Sequence, residues 1–229
     1  MAELQIIERP SPNHDARPDG QAIDILLLHY TGMASGEASL ERLCDPAAKV
    51  SAHYLVEEDG RIFQLVSESQ RAWHAGAAEW QGANDINARS IGIEVVNPGH
   101  EFGYRPFPPE QTASVRLLAL DILARHPIPT ARVLGHSDVA PLRKEDPGEL
   151  FDWRGLAAAG IGLWPQDSGA AVLESAVGKA LKRVGYGYTD ADLPAVVRAF
   201  QRHFRPSAVT GNADPETRRR LAALLAVID

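Results

Sequence analysis

Residues 90–97, SIGIEVVN, decide how this chain is read. Ile91, Ile93 and Val95 fall on one face of an extended segment, and Gly92, Glu94 and Val96 on the other. The run is apolar on both faces except at one position, the pattern of a strand buried in a sheet that is covered on both sides. The exception is Glu94. Burying an unpaired carboxylate costs on the order of several kcal/mol, so Glu94 requires a partner or a task. An ion pair with an arginine such as Arg89 would supply the first; a role as general base beside a metal-activated water would supply the second.

Working outward, AIDILLLHYT (22–31) is another short apolar run, bounded by Gly20 and Gly32, and fits a buried strand ending at His29. SAHYLVEEDGRIFQLV (51–66) holds two β-prone runs around Asp59-Gly60, a hairpin signal. PPEQTASVRLLALDILARH (108–126) predicts a helix opened by Pro109, with Leu117, Leu120 and Ala124 on one face and Val115, Leu118 and Ile122 beside them. RVLGHSD (132–138) returns as a strand. Strands alternating with helical stretches make an α/β domain reaching to about Pro165, preceded by a proline-rich extended arm over residues 1–20.

GLWPQDSGA (162–170) reads as a linker, so the expected division is 1–167 and 168–229. Beyond it the pattern is purely helical. A first helix begins with Leu173, Ala176, Val177, Ala180, Leu181 and Val184 and stops at Gly185. A second places Leu193, Val197, Phe200 and Phe204 on one stripe. A third takes Asp214 as N-cap and Pro215 as first residue, then presents Leu221, Leu224, Leu225 and Ile228. The tail is expected to be a compact three-helix module that the chemistry can do without.

Composition narrows the function. A net charge of -7 with no Lys/Arg run gives nothing to attract nucleic acid. The longest purely aliphatic run, Ile25–Leu28, is far too short for a membrane span, and the first residues lack the basic start and apolar core of an export signal, which points to the cytoplasm. Cys44 is the only cysteine, which excludes an internal disulfide and cysteine-rich metal sites.

The chemistry-bearing residues are few. His29 closes a strand, where an open sheet usually presents functional side chains, although a hydrogen-bonded structural histidine fits the same place. GHSDVAPLRKEDPG (135–148) adds His136, Lys144 and Asp146 on a loop containing proline. If that loop folds back, His29, His136 and Asp146 form a three-ligand set with one position left open; an exposed polar loop is the alternative.

LLLHYT (26–31), SAHYLV (51–56), IFQLV (62–66), AWHAGAAEWQGANDINARSIGIEVVN (72–97), GHSDVAPLRKEDPGELFDW (135–153) and GIGLWP (160–165) together resemble the type-2 N-acetylmuramoyl-L-alanine amidases, in that family's order. These enzymes are related to phage lysozyme-like amidases and peptidoglycan recognition proteins. The resemblance implies a mixed central β-sheet flanked by helices, and one Zn2+ per chain held by His29, His136 and Asp146. It makes Glu94 the catalytic glutamate and Lys144 the lysine facing the scissile carbonyl, and it sets His53 and His74 near the cleft, as substrate contacts or as supports. The implied substrates are peptidoglycan fragments, muropeptides with ordinary or 1,6-anhydro muramic acid, or intact peptidoglycan, cut between N-acetylmuramic acid and L-alanine in cell-wall degradation or recycling.

In the tail, VVRAFQRHFRP (196–206) and TGNADPETRRRL (210–221) are similar to the type-1 peptidoglycan-binding domain, the alternative being a helical module that only packs against the catalytic domain; a wall-binding tail would suit the periplasm, the alternative to the cytoplasm. Two other functions remain to be separated: a peptidoglycan glycosidase, which needs a second carboxylate across the sugar, and a non-catalytic recognition protein on the same fold.

Overall fold

The computed structural model describes residues 4–166 and 169–228, so the expected boundary at 167/168 lies outside the described residues. The N-terminal half contains β1 (Ile6–Glu8), β2 (His14–Ala16), β3 (Ile25–Tyr30), α1 (Gly36–Cys44), β4 (Tyr54–Val56), β5 (Ile62–Gln64), β6 (Gln70–Ala72), α2 (Ile86–Arg89) and β7 (Ser90–Val95). After these come α3 (Gly99–Phe102), α4 (Pro109–Arg125), β8 (Val133–Gly135), α5 (His136–Val139) and α6 (Trp153–Ala158), then α7 (Val177–Val184), α8 (Leu193–Phe204) and α9 (Pro215–Ile228).

Six strands form one mixed sheet in the order β1-β5-β4-β7-β3-β8. The β4–β5 hairpin is antiparallel and the other pairings are parallel. Alternation along β3 explains why both faces must be covered. Leu26 and Leu28 enter the core under α4 with Val115, Leu118 and Ile122. Ile25 and Leu27 point the other way, into a core they share with Val177, Leu181, Val197, Phe200 and Leu221 of the tail. Each such side chain contributes roughly 1.5–3 kcal/mol when buried. The tail is thus the cover of one sheet face, and removing it would bare that face.

Three expectations need correcting. The arm is extended but not merely laid on the surface: β1 pairs with β5, β2 pairs with β6, and the Arg17 guanidinium donates to the carbonyls of Ala88 and Ser90. Strands of only three residues carry too little periodicity to announce themselves. On α4 the inward positions are Gln111, Val115, Leu118, Ala119 and Ile122, while Leu117 and Leu120 are about two-fifths exposed at 39% and 41%. In a leucine-rich helix composition alone does not say which stripe faces in. Leu173 is exposed and precedes a 3-10 turn (Glu174–Ala176), so α7 itself starts at Val177.

The helix ends follow the sequence. Gly185, at φ +138°, closes α7, and the Asp214 carboxylate accepts the Thr217 N–H at 2.9 Å at the head of α9. Among the described residues no helix is long and apolar enough to cross a membrane.

Candidate metal centre

Sheet register assembles the site. Across the β3–β7 ladder His29 lies opposite Glu94, and across β3–β8 Leu28 lies opposite Gly135, which sets His136 beside His29. All three residues stand where the central parallel strands end, the usual functional edge of such a sheet. The loop after His136 then folds back, with the Ser137 N–H donating to the Asp146 carbonyl at 2.9 Å. Asp146 precedes a cis peptide bond to Pro147.

The result is a triangle of three ligand atoms. His29 Nδ1 lies 2.9 Å from His136 Nδ1 and 3.1 Å from Asp146 Oδ2, and the third side, His136 Nδ1 to Asp146 Oδ2, is 3.0 Å. The three residues are buried. Their outer nitrogens explain what the inner ones offer. His136 Nε2–H donates to the Ala75 carbonyl at 2.9 Å, which leaves Nδ1 as a bare acceptor. Ser90 Oγ donates to the Ile86 carbonyl and accepts from His74 Nε2, so His74 Nδ1 accepts from His29 Nε2 at 3.0 Å. His29 Nδ1 is therefore bare as well. Three acceptors pointed at one another with no proton between them repel unless a cation joins them. Ligands of one tetrahedral zinc lie roughly 3.3 Å apart, close to the observed spacing.

Burial, with His136 next in weight, lowers His29 to about 4, so its imidazole is neutral at neutral pH, the form that binds metal. Glu94 behaves oppositely: burial, reinforced by Asp146, pushes its carboxyl well above the usual range. Its side chain is half-buried, and Oε2 is closed to solvent with no hydrogen-bond partner among the described residues. Arg89 does not supply one, because it pairs with Asp24.

A cavity of about 280 Å³ opens over the triangle, lined by Glu94, Lys144, His74 and Tyr30 besides the three ligand residues. No hydrogen bond or ion pair holds the Lys144 ammonium among the described residues. His74 reaches the cavity wall as the support of His29. His53 does not line it: fully buried, it accepts the Gly92 N–H at Nδ1 and faces the Gln70 carbonyl with Nε2, a geometry that fits the second of its two expected roles, a support.

Sequence reasoning missed several supports. Asn87 Oδ1 accepts the N–H groups of His74 and Ala75, shaping the turn whose carbonyl orients His136. Asp138, Tyr186 and His203 form a second buried polar cluster beside α5. Gly92 did carry a signal, since a glycine inside a buried strand marks close approach: a Cβ there would sit 2.6 Å from the His74 ring.

The family profile described as N-acetylmuramoyl-L-alanine amidase matches residues 19–149. The chain belongs to that family. A second profile, for a peptidoglycan binding domain, matches residues 175–221 of the amidase. Over 97% of its length the amidase is 39% identical to N-acetylmuramoyl-L-alanine amidase AmiD of Escherichia coli, covering 91% of that protein. It is 36% identical to the 1,6-anhydro-N-acetylmuramyl-L-alanine amidase AmpD of the same species over 63% of its own length and 86% of AmpD. Among solved structures, E. coli AmiD in complex with the substrate anhydro-N-acetylmuramic acid-L-Ala-D-γ-Glu-L-Lys superposes with a TM-score of 0.82 at 38% identity, covering 92% of both chains. AmpDH3 of Pseudomonas aeruginosa gives 0.83 at 35% identity, covering 92% of the amidase and 94% of that chain.

Proposed function

We propose that the amidase hydrolyses the amide between the lactyl group of N-acetylmuramic acid and L-alanine, with one zinc ion held by His29, His136 and Asp146. The observation that carries this reading is the triangle of bare acceptors beside an unpartnered glutamate oxygen. A bound zinc supplies Lewis acidity, which makes water nucleophilic near neutral pH. Glu94 takes the proton of the attacking water on its free Oε2 and returns it to the leaving amine of L-alanine; its raised pKa brings it nearer to that task than an ordinary glutamate. Lys144, with its ammonium unclaimed on the cavity wall, faces the carbonyl oxygen as negative charge grows there. His74, Ser90 and Ala75 hold the two imidazoles in register.

Muropeptides bearing 1,6-anhydro muramic acid are the preferred substrate class, supported by the anhydro-N-acetylmuramic acid peptide in the E. coli AmiD complex and by the likeness to AmpD, a 1,6-anhydro-N-acetylmuramyl-L-alanine amidase. A glycosidase would need two free carboxylates at the cavity. Among the described residues Glu94 and Asp146 are the carboxylates that line it, and Asp146 belongs to the triangle. The test is mass spectrometry of an anhydro-muramoyl tripeptide and of intact sacculi, with and without chelator. Release of free L-alanyl peptide, lost on chelation and restored by zinc, is expected. New reducing sugar ends, or activity indifferent to chelator, would overturn the reading.

A further inference from the structure

The ligands His136 and Asp146 sit at the two ends of one loop, and the last turn of α8 touches both ends. At the first, the Asp138 carboxylate is fully buried. It accepts from the Gly135 N–H at 2.8 Å, from Tyr186 Oη at 2.6 Å and from His203 Nδ1 at 2.7 Å. Two of its three donors thus come from the tail. At the second end, Arg202 pairs with Glu145 and lies 3.8 Å from Glu149, on either side of Asp146. Lys144 and Asp146 line the cavity while Glu145, between them, is drawn to the tail. Arg202 is 8% exposed, and a guanidinium so buried needs its carboxylates as much as they need it. The His203 ring is stacked on Trp153, at a centroid distance of 3.8 Å.

We propose that the end of α8 is a clamp that sets the shape of the metal loop, with Arg202 and His203 as positioning residues for Asp146 and His136. The module that resembles a wall-binding domain is then also part of the catalytic architecture. The proposal rests on the reading of His29, His136 and Asp146 as zinc ligands.

The experiment follows zinc transfer from the loaded full-length protein to a chromogenic chelator, with kcat, KM and thermal melting measured on the same preparations. Arg202→Met and Glu145→Gln should each weaken zinc retention about tenfold to a hundredfold, the usual cost of losing a support behind a ligand, and lower kcat with KM unchanged. Glu145 is exposed, so Glu145→Gln carries the test should Arg202→Met fail to fold. His203→Phe keeps the ring stack and removes the donor; His203→Asn keeps a donor and removes the stack. Fast zinc loss in the Phe variant with near-parental retention in the Asn variant is expected of a clamp. Parental retention in folded Arg202→Met or Glu145→Gln, or fast loss that follows the stack rather than the donor, would overturn the clamp alone. Parental retention in His136→Ala would overturn the ligand reading and the clamp together.

Discussion

Asp138 lies in α5 and Asp146 in the loop that follows it, both are buried and both meet histidine, yet their surroundings are opposites. Around Asp138 every contact matches a donor to an acceptor: a backbone N–H, a phenol and an imidazole N–H converge on its two oxygens. Around Asp146 the neighbours are acceptors, because both imidazoles spend their protons outward on His74 and Ala75. Both oxygens of Asp138 are served by donors, although His203 Nε2 has no partner among the described residues; the acceptors around Asp146 have no proton between them and are arranged as a cation would need them. Residue types do not distinguish the two. What does is where each neighbouring proton is already committed.

The largest effect should come from breaking the cluster around Asp146. His136→Ala is expected to take zinc from one equivalent to none and amide cleavage to background, by elemental analysis and product release. Retained zinc would mean that the triangle is not the ligand set. Glu94→Gln should keep zinc and slow single-turnover cleavage by about two to four orders of magnitude. Its pH profile sharpens the point. Burial raises the Glu94 pKa, so activity should fall, as pH drops, above the ordinary carboxylate range, and that limb should vanish in the Gln variant. Lys144→Met should also keep zinc and cost about a hundredfold to a thousandfold in turnover. Wild-type turnover in either variant would remove that residue from the mechanism.

A smaller effect concerns the metal-free protein. Burial lowers His29 to about 4 and His53 to about 3, and it lowers His74 well below its ordinary value. Between roughly pH 6 and 4.5 the unfolded chain protonates these residues and the native state does not, so stability falls with falling pH by about 1.4 kcal/mol per unit for each histidine. Glu94 works in the opposite sense, because burial raises its pKa and the native state keeps its proton where the unfolded chain has lost it, which offsets part of the histidine effect. Denaturant midpoints of the zinc-free protein should therefore drop from pH 6 to 4.5, and a flat profile would contradict the buried neutral histidines.

Much of this was legible in the sequence because the central strands are apolar on both faces. Against that background a lone charge such as Glu94 stands out, and the end of β3 places His29; RVLGHSD reads as strand throughout, whereas β8 stops at Gly135 and His136 opens α5. Asp146 needed the family resemblance, since spacing does not say that a loop folds back. Asp138, Tyr186, Arg202 and His203 had no signal of their own. Periodicity in α8 marks Phe200 and Phe204 as inward, but it cannot show that the adjoining polar residues are buried against another part of the chain. For the same reason the sequence leaves two readings of the tail, a glycan-binding module or helices packed on the catalytic domain: its apolar stripes declare that something covers them, and the fold shows that the cover is the catalytic sheet.

The smallest effect tests the cluster around Asp138. In Tyr186→Phe the ring stays packed against Trp80, at a centroid distance of 5.0 Å, and against Phe200, so no cavity opens. What is lost is the hydroxyl that donates to Asp138 Oδ1 at 2.6 Å, in a place closed to water. A buried carboxylate oxygen left without its donor costs about 1–3 kcal/mol. Chemical denaturation of the zinc-loaded protein should show that loss, while zinc stoichiometry at saturating metal stays at one. Unchanged stability would mean that Asp138 does not depend on this donor. Loss of zinc at saturation would mean that the two clusters act as a single unit, because removing a hydroxyl from the Asp138 cluster would then have emptied the other.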